Sequence, residues 1–254
     1  RHFTGSARMA WKDRQITLSD LKTEVNGVRT TGSVTADFGR QKPDFEFKIR
    51  MAELDFSRLT GQKSGSGSKT NIPGGSQKSW NFSAMKDFSA KGTLSAGSAV
   101  FGKITIRDLQ CPHLSDGRLT VSGLTGGFYG GTLSLNGHAV FDKGLSFGGQ
   151  MSMRKFSLGD VMRAFGATSI ITGQAALSAD VTGSMSGPDQ LTSGLNGTAH
   201  FTSGQGSFQS VDKEGKPKGK PTVFRESSGS GTITSGVLRT QDFQLKGDSM
   251  KVNG

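Results

Sequence analysis

The sequence predicts an all-β protein: an elongated, repetitive sheet of many short strands with one or two short helices. Three observations carry that prediction. Short segments alternate apolar and polar residues, Gly or Asn-Gly closes them, and little of the 254 residues repeats at helical spacing. Composition agrees: the 38 glycines are about twice ordinary usage. At 32% apolar residues the chain is too poor for a helical bundle, yet it is too patterned for disorder.

From the N-terminus, residues 1–60 read as a first β segment that ends in a short helical turn over Glu53–Leu59. Residues 61–79 follow as a flexible Gly/Ser-rich loop, because Gln62 to Ser68 and Pro73-Gly74-Gly75 offer no core-forming side chain besides Ile72. Residues 80–254 form the main β segment. Its strands show apolar residues two apart: Ile104/Ile106, Leu119/Val121, Leu133/Leu135, Leu145/Phe147, Leu177/Ala179/Val181, Phe243/Leu245 and Met250/Val252. That spacing puts them on one face of a pleated strand. Asn26-Gly27, Asn136-Gly137 and Asn196-Gly197 suit the positive φ of tight hairpin turns. One helix interrupts the run near 157–165, with Ser157 as cap, Leu158, Val161, Met162 and Phe165 at helical spacing, and Gly166 as stop. Asp212 to Pro221 reads as an exposed basic loop, since Pro217 and Pro221 cannot pair inside a sheet. Met51–Leu59 echoes Met153–Met162, which suggests an elongated array rather than one central core.

Catalytic chemistry has little to stand on. His2, His113, His138 and His200 are scattered, and the carboxylates sit mostly in turns such as Asp116-Gly117 and Asp142-Lys143. Cys111-Pro112-His113 reads as a turn after a strand rather than a nucleophile pair, and a single cysteine excludes an internal disulfide framework. Gly126-Gly127-Phe128-Tyr129-Gly130-Gly131 lacks the strand-to-helix junction of a phosphate cradle. No enzyme, metal site or cofactor is expected. The 31 Lys and Arg against 20 Asp and Glu leave a net charge of +11, but the cations are spread along the strands without exposed stacking aromatics, so no nucleic-acid partner is expected.

One-faced strands must hide their apolar side. A sheet that only curls leaves an apolar trough, and small residues such as Ala10, Ala90, Ala139, Ala176 and Ala199 make a tight fill harder. The candidate lining residues are Ile104, Ile106, Leu119, Val121, Leu133, Leu135, Leu145, Phe147, Leu177, Val181 and Phe201. Acyl chains suit such a lining, at about 0.8 kcal/mol per buried methylene.

Four blocks, in this order, resemble the C-terminal region of the AsmA-like family. They are Trp80–Met85 with Gly92-Thr93-Leu94 and Ile104–Leu109, then Gly126–Leu133, then Leu195–Phe208, then Gly229–Gly254. The resemblance implies a taco-shaped periplasmic β groove held at the bacterial inner membrane by an N-terminal helix outside this sequence. It implies binding or conduction of phospholipid or lipopolysaccharide toward the outer membrane, and brings no catalytic residues. Arg1 in place of Met, and a family pattern that runs past Gly254, point to a piece of a longer chain. Two other readings stand beside this one. A closed β-solenoid or sandwich would serve as scaffold or adhesin-like passenger, and an envelope hydrolase on a β-helix would need clustered carboxylates that the sequence lacks.

Overall fold

The computed structural model describes residues 3–25, 28–55, 89–101, 104–115, 118–141, 145–166, 170–185, 194–212, 214, 216–240, 242–247 and 251–253. The first strands are β1 (Phe3–Lys12), β2 (Gln15–Val25), β3 (Val28–Asp37), β4 (Asp44–Asp55), β5 (Ser89–Phe101), β6 (Ile104–Ser115), β7 (Arg118–Phe128) and β8 (Gly131–Phe141). β9 (Leu145–Ser157), helix α1 (Leu158–Ala164), β10 (Ile170–Met185), β11 (Leu195–Val211), β12 (Pro217–Phe224) and β13 (Glu226–Thr234) follow. Three short strands complete the described chain: β14 (Val237–Thr240), β15 (Gln244–Lys246) and β16 (Lys251–Asn253).

All sixteen strands belong to one sheet, in chain order from β1 to β11 and then β13, β15 and β16. β12 pairs with β11, and β14 with β13. The 17-residue β11 is long enough to share one edge, pairing β13 along Gly197–Ser203 and β12 along Gly206–Val211. Neighbours are antiparallel except β4 and β5, which run parallel from Asp44↔Ser89 to Asp55↔Val100. A parallel pair needs a long crossover instead of a hairpin, and the intervening segment supplies it. The predicted loop over 61–79 lies outside the described residues.

The sheet is open and curled rather than wrapped around a central core. Among the described residues no large side chain is completely buried. What core exists lies on the inner face of β4 to β10, where Leu54, Ala99, Leu109, Phe128, Met153 and Phe156 cluster. Helix α1 sits over one end of it, with Leu158 and Val161 packed against the cluster. Ser157 caps α1 as its spelling predicts, accepting from the Asp160 N–H at 3.2 Å, while Asp160 pairs with Arg163 and Gly166 closes the helix at φ +83°.

Several local expectations give way. Glu53 to Asp55 finish β4 as strand, and the rest of the expected helical turn lies outside the described residues. Cys111-Pro112-His113 is strand, not turn: β6 continues to Ser115, and Pro112 falls where its ladders with β5 and β7 are interrupted. Asn136-Gly137 and Asn196-Gly197 lie inside β8 and β11, their asparagines serving other backbone groups. Asn136 Oδ1 accepts from the Gly123 N–H at 2.7 Å and Asn196 Oδ1 from the Ser235 N–H at 3.1 Å. The tight turns belong instead to Tyr129-Gly130 (φ +43° and +82°) and Ser235-Gly236 (φ +51° and +77°), both left-handed as primed hairpins require. Asn26-Gly27 lies outside the described residues. The expected basic loop over 212–221 is partly strand, since Pro217–Phe224 pairs with β11. It lies at an edge, where proline costs no ladder bond.

Candidate functional site

Strands in this sheet run longer than the alternating segments that announce them, because bulges interrupt the alternation without ending the strand. Asp20 (φ +52°), Asp108 (φ +49°), Gly123 (φ +69°) and Lys155 (φ +56°) take left-handed backbone where register shifts in β2, β6, β7 and between β9 and β10. A bulge adds one residue, bends the strand and restores the same face to the inside. Apolar residues therefore flank it three apart instead of two: Leu18/Leu21, Ile106/Leu109, Val121/Leu124 and Met153/Phe156. Burial peaks beside the bends, with Leu109 3% and Phe156 5% exposed.

The register brings the sequence-predicted residues to one face. Leu133, Met153, Leu177 and Phe201 stand in one cross-strand row, and Gly126, opposite Leu133, lies under the Ile106 side chain. Ile104 is two residues from Ile106 on the same face. A second row is Leu124, Leu135, Met151, Ala179 and Ala199. A third is Val121, Gly137, Gly149, Val181 and Gly197, and a fourth Leu119, Ala139, Phe147, Gly183 and Leu195. Leu145, two residues from Phe147, pairs with Phe141 and Met185 beyond the fourth row. The side chain of Leu119 lies outside the described residues.

Packing divides these residues into two groups. Ile106 and Leu133 are core, and Ile104, Leu177 and Phe201 are half-buried against that core. Val121, Leu135, Leu145, Phe147 and Val181 are half-buried outside it. Three of the five positions in the third row are glycine, with Val121 and Val181 at the other two, and over β8 and β9 the neighbouring rows carry Leu135 and Met151 on one side and Phe147 on the other. Side-chain size therefore dips along this cross-strand line, most over β8 and β9, and the line from β7 to β11 is here called the furrow. Five strands at about 4.8 Å spacing make it about 19 Å long, close to the roughly 15 Å hydrocarbon depth of one lipid leaflet. Glycine is required at its centre: a Cβ on Gly149 would stand 2.6 Å from the Asn136 carbonyl oxygen. The Phe147 ring lies over Gly183, where an added Cβ would meet ring carbon Cζ at 2.4 Å, so the ring stays along the fourth row and leaves the third row uncovered.

The opposite face is polar. A hollow of about 1050 Å³ opens there, lined by Ser134, Asn136, Gln150, Asp180, His200 and Arg239 among others. Gln150 Nε2 donates to Asp180 Oδ2 at 3.2 Å, and His200 Nδ1 lies 3.4 Å from Ser230 Oγ. Asp242 is occupied structurally, accepting from the Ser230 N–H at 2.6 Å, and that bond holds its carboxyl below the ordinary range. His200 and Ser230 both face solvent and no carboxylate orients the imidazole among the described contacts, so this is a hydrogen-bonding surface rather than a catalytic pair. No group of three His, Cys, Asp or Glu is placed to hold a metal among the described residues. Cys111 is buried and forms no disulfide. No described helix is long and apolar enough to cross a membrane.

Period-two spacing found the strands' inner residues but not the furrow. Gly137, Gly149 and Gly197 lie in three different strands, and only the register aligns them. The AsmA family model matches residues 2–243. No curated protein and no solved structure matches.

Proposed function

As the chain belongs to the AsmA family, we propose that its furrow holds the acyl chains of phospholipid or lipopolysaccharide. It does so in the periplasm of a bacterium, in a protein anchored at the inner membrane that supplies lipid to the outer membrane. The observation that carries this reading is the apolar row Val121–Gly137–Gly149–Val181–Gly197, whose glycines on β8 and β9 lie beside the larger Leu135, Met151 and Phe147. A single protein side chain cannot fill so long a slot, whereas an acyl chain lies along it. Ten buried methylenes contribute about 8 kcal/mol before the cost of ordering them. Among the described residues the three rows of the furrow carry no charged side chain, so the acyl chain is the part of the lipid it reads.

The reading is tested by organic extraction and mass spectrometry of the chain purified from bacteria, beside a Leu135→Asp variant. The wild-type chain is expected to carry lipid and the variant to lose it while keeping its β-sheet circular dichroism. A lipid-free wild-type chain with an intact β spectrum would overturn the proposal in favour of a scaffold whose apolar face needs no ligand.

A further inference from the structure

Beyond the bends, on the side of the sheet away from the furrow, the ends of β10 and β11 meet α1 and β12. The register places Ile170 beside Gln209, Phe208 beside Thr222, Ser207 beside Val223 and Ser210 beside Lys218, and Gln209 Nε2 donates to the Gly219 carbonyl at 2.8 Å. Large apolar side chains at this tip are open to water: Phe165 52%, Val223 50%, Phe208 43% and Ile170 39% exposed. Phe208 and Val223 belong to neighbouring pairs of the ladder and so leave opposite faces of the ribbon. The curl of the sheet cannot cover both. Lys218 and Lys220 stand exposed at the same end with no ion pair among the described residues.

We propose that this tip docks on the surface of an anionic phospholipid bilayer, with Phe208 and Val223 entering the interface and Lys218 and Lys220 meeting lipid phosphates. Exposed apolar side chains with two exposed lysines on the same strand pair are the composition of an interfacial anchor. The edge of β12 also argues against a protein strand as the occupant. Pro217 and Pro221 remove two of its backbone donors, which blunts it as a template for strand addition. This docking surface is separate from the furrow and does not depend on the furrow holding lipid.

The test is flotation of the 254-residue chain with phosphatidylcholine vesicles, with and without phosphatidylglycerol, at low and high salt. Binding is expected only with phosphatidylglycerol and is expected to weaken as salt rises. The double change Lys218→Gln/Lys220→Gln, on two exposed side chains, is expected to lower partitioning about thirty-fold without altering the melting temperature. Phe208→Ser with Val223→Ser is expected to lower it further. Leu135→Asp, which disables the furrow, is expected to leave flotation unchanged. Equal binding to neutral vesicles, no effect of the lysine changes, or loss of flotation in Leu135→Asp would each overturn the tip as the docking surface.

Discussion

The bends and the furrow share one apolar face but are packed in opposite ways. At the bends, Leu109, Phe128, Leu133, Met153 and Phe156 close on one another, and Phe128 meets Phe156 edge-on at 5.7 Å between ring centroids. Across the furrow, Val121, Leu135, Phe147 and Val181 stand apart over a glycine floor and stay half-buried. Neither place carries a charged side chain on the inner face of its named rows. What differs is side-chain size and contact, because large side chains gather beside the bulges while glycines stand at the furrow's centre. The bends hold the fold together, and the furrow is free to hold something else.

That contrast is sharpest at Leu133 and Leu135, two residues apart on one strand and equivalent by sequence. Leu133→Asp buries a carboxylate among the core side chains, and loss of the cooperative β transition is expected in a thermal melt. With alanine the expected cost at Leu133 is about 2–4 kcal/mol, and at half-buried Leu135 about 1 kcal/mol, measured by chemical denaturation. Equal costs would erase the division between core and furrow.

The bulges can be tested directly. Asp108 holds a left-handed φ of +49°, so Asp108→Val is expected to destabilise the chain by about 1–2 kcal/mol, whereas Asp108→Gly is expected to be neutral or stabilising. A harmless Asp108→Val would mean that the bend does not need this backbone geometry. A smaller stability effect but a clear binding one is expected from Val181→Phe. The added ring occupies the furrow's middle row, so bound lipid should fall in extraction while the melt moves by less than about 1 kcal/mol.

The smallest effect concerns the far edge of the sheet, which lies in neither region. The Lys246 ammonium donates to Glu226 at 2.8 Å across β13 and β15 and holds that carboxyl below its ordinary value of 4.5. A carboxylate depressed in the folded state adds stability above its unfolded value and loses it as pH falls through the folded one. Amide protection factors at Ser227 and Leu245, corrected for the intrinsic pH dependence of exchange, are therefore expected to fall as acid protonates Glu226 and to hold at neutral pH, with only a slight change in the global melt because the pair faces solvent. Glu226→Gln should remove that pH dependence.

Much of this was legible in the sequence, and the failures share a cause. Period two put Ile104, Ile106, Leu133, Leu135, Leu177 and Val181 on one inner face, and the spelling from Ser157 to Gly166 gave the helix with its cap. The breaks in alternation were harder to read. The strand from Ile104 reads as giving way to a turn at Cys111-Pro112-His113, yet the backbone makes a left-handed step at Asp108 and the strand goes on to Ser115. Asn136-Gly137 reads as a turn, yet its asparagine serves the Gly123 bulge on the neighbouring strand. The parallel pairing of β4 with β5 and the glycine row of the furrow are both set by register between strands distant in sequence, which local spacing does not encode. Separating Leu133 from Leu135 requires knowing which side chains pack against each.

The most direct measurement is site-specific photocrosslinking in bacteria, with benzoylphenylalanine replacing Phe147 in the furrow, Phe156 at the bend or Gln150 on the polar face, followed by intact-mass spectrometry. The account predicts a lipid-mass adduct at Phe147 and none at Phe156 or Gln150. Adducts of equal yield at Gln150, or no adduct at Phe147 in a folded chain, would contradict it.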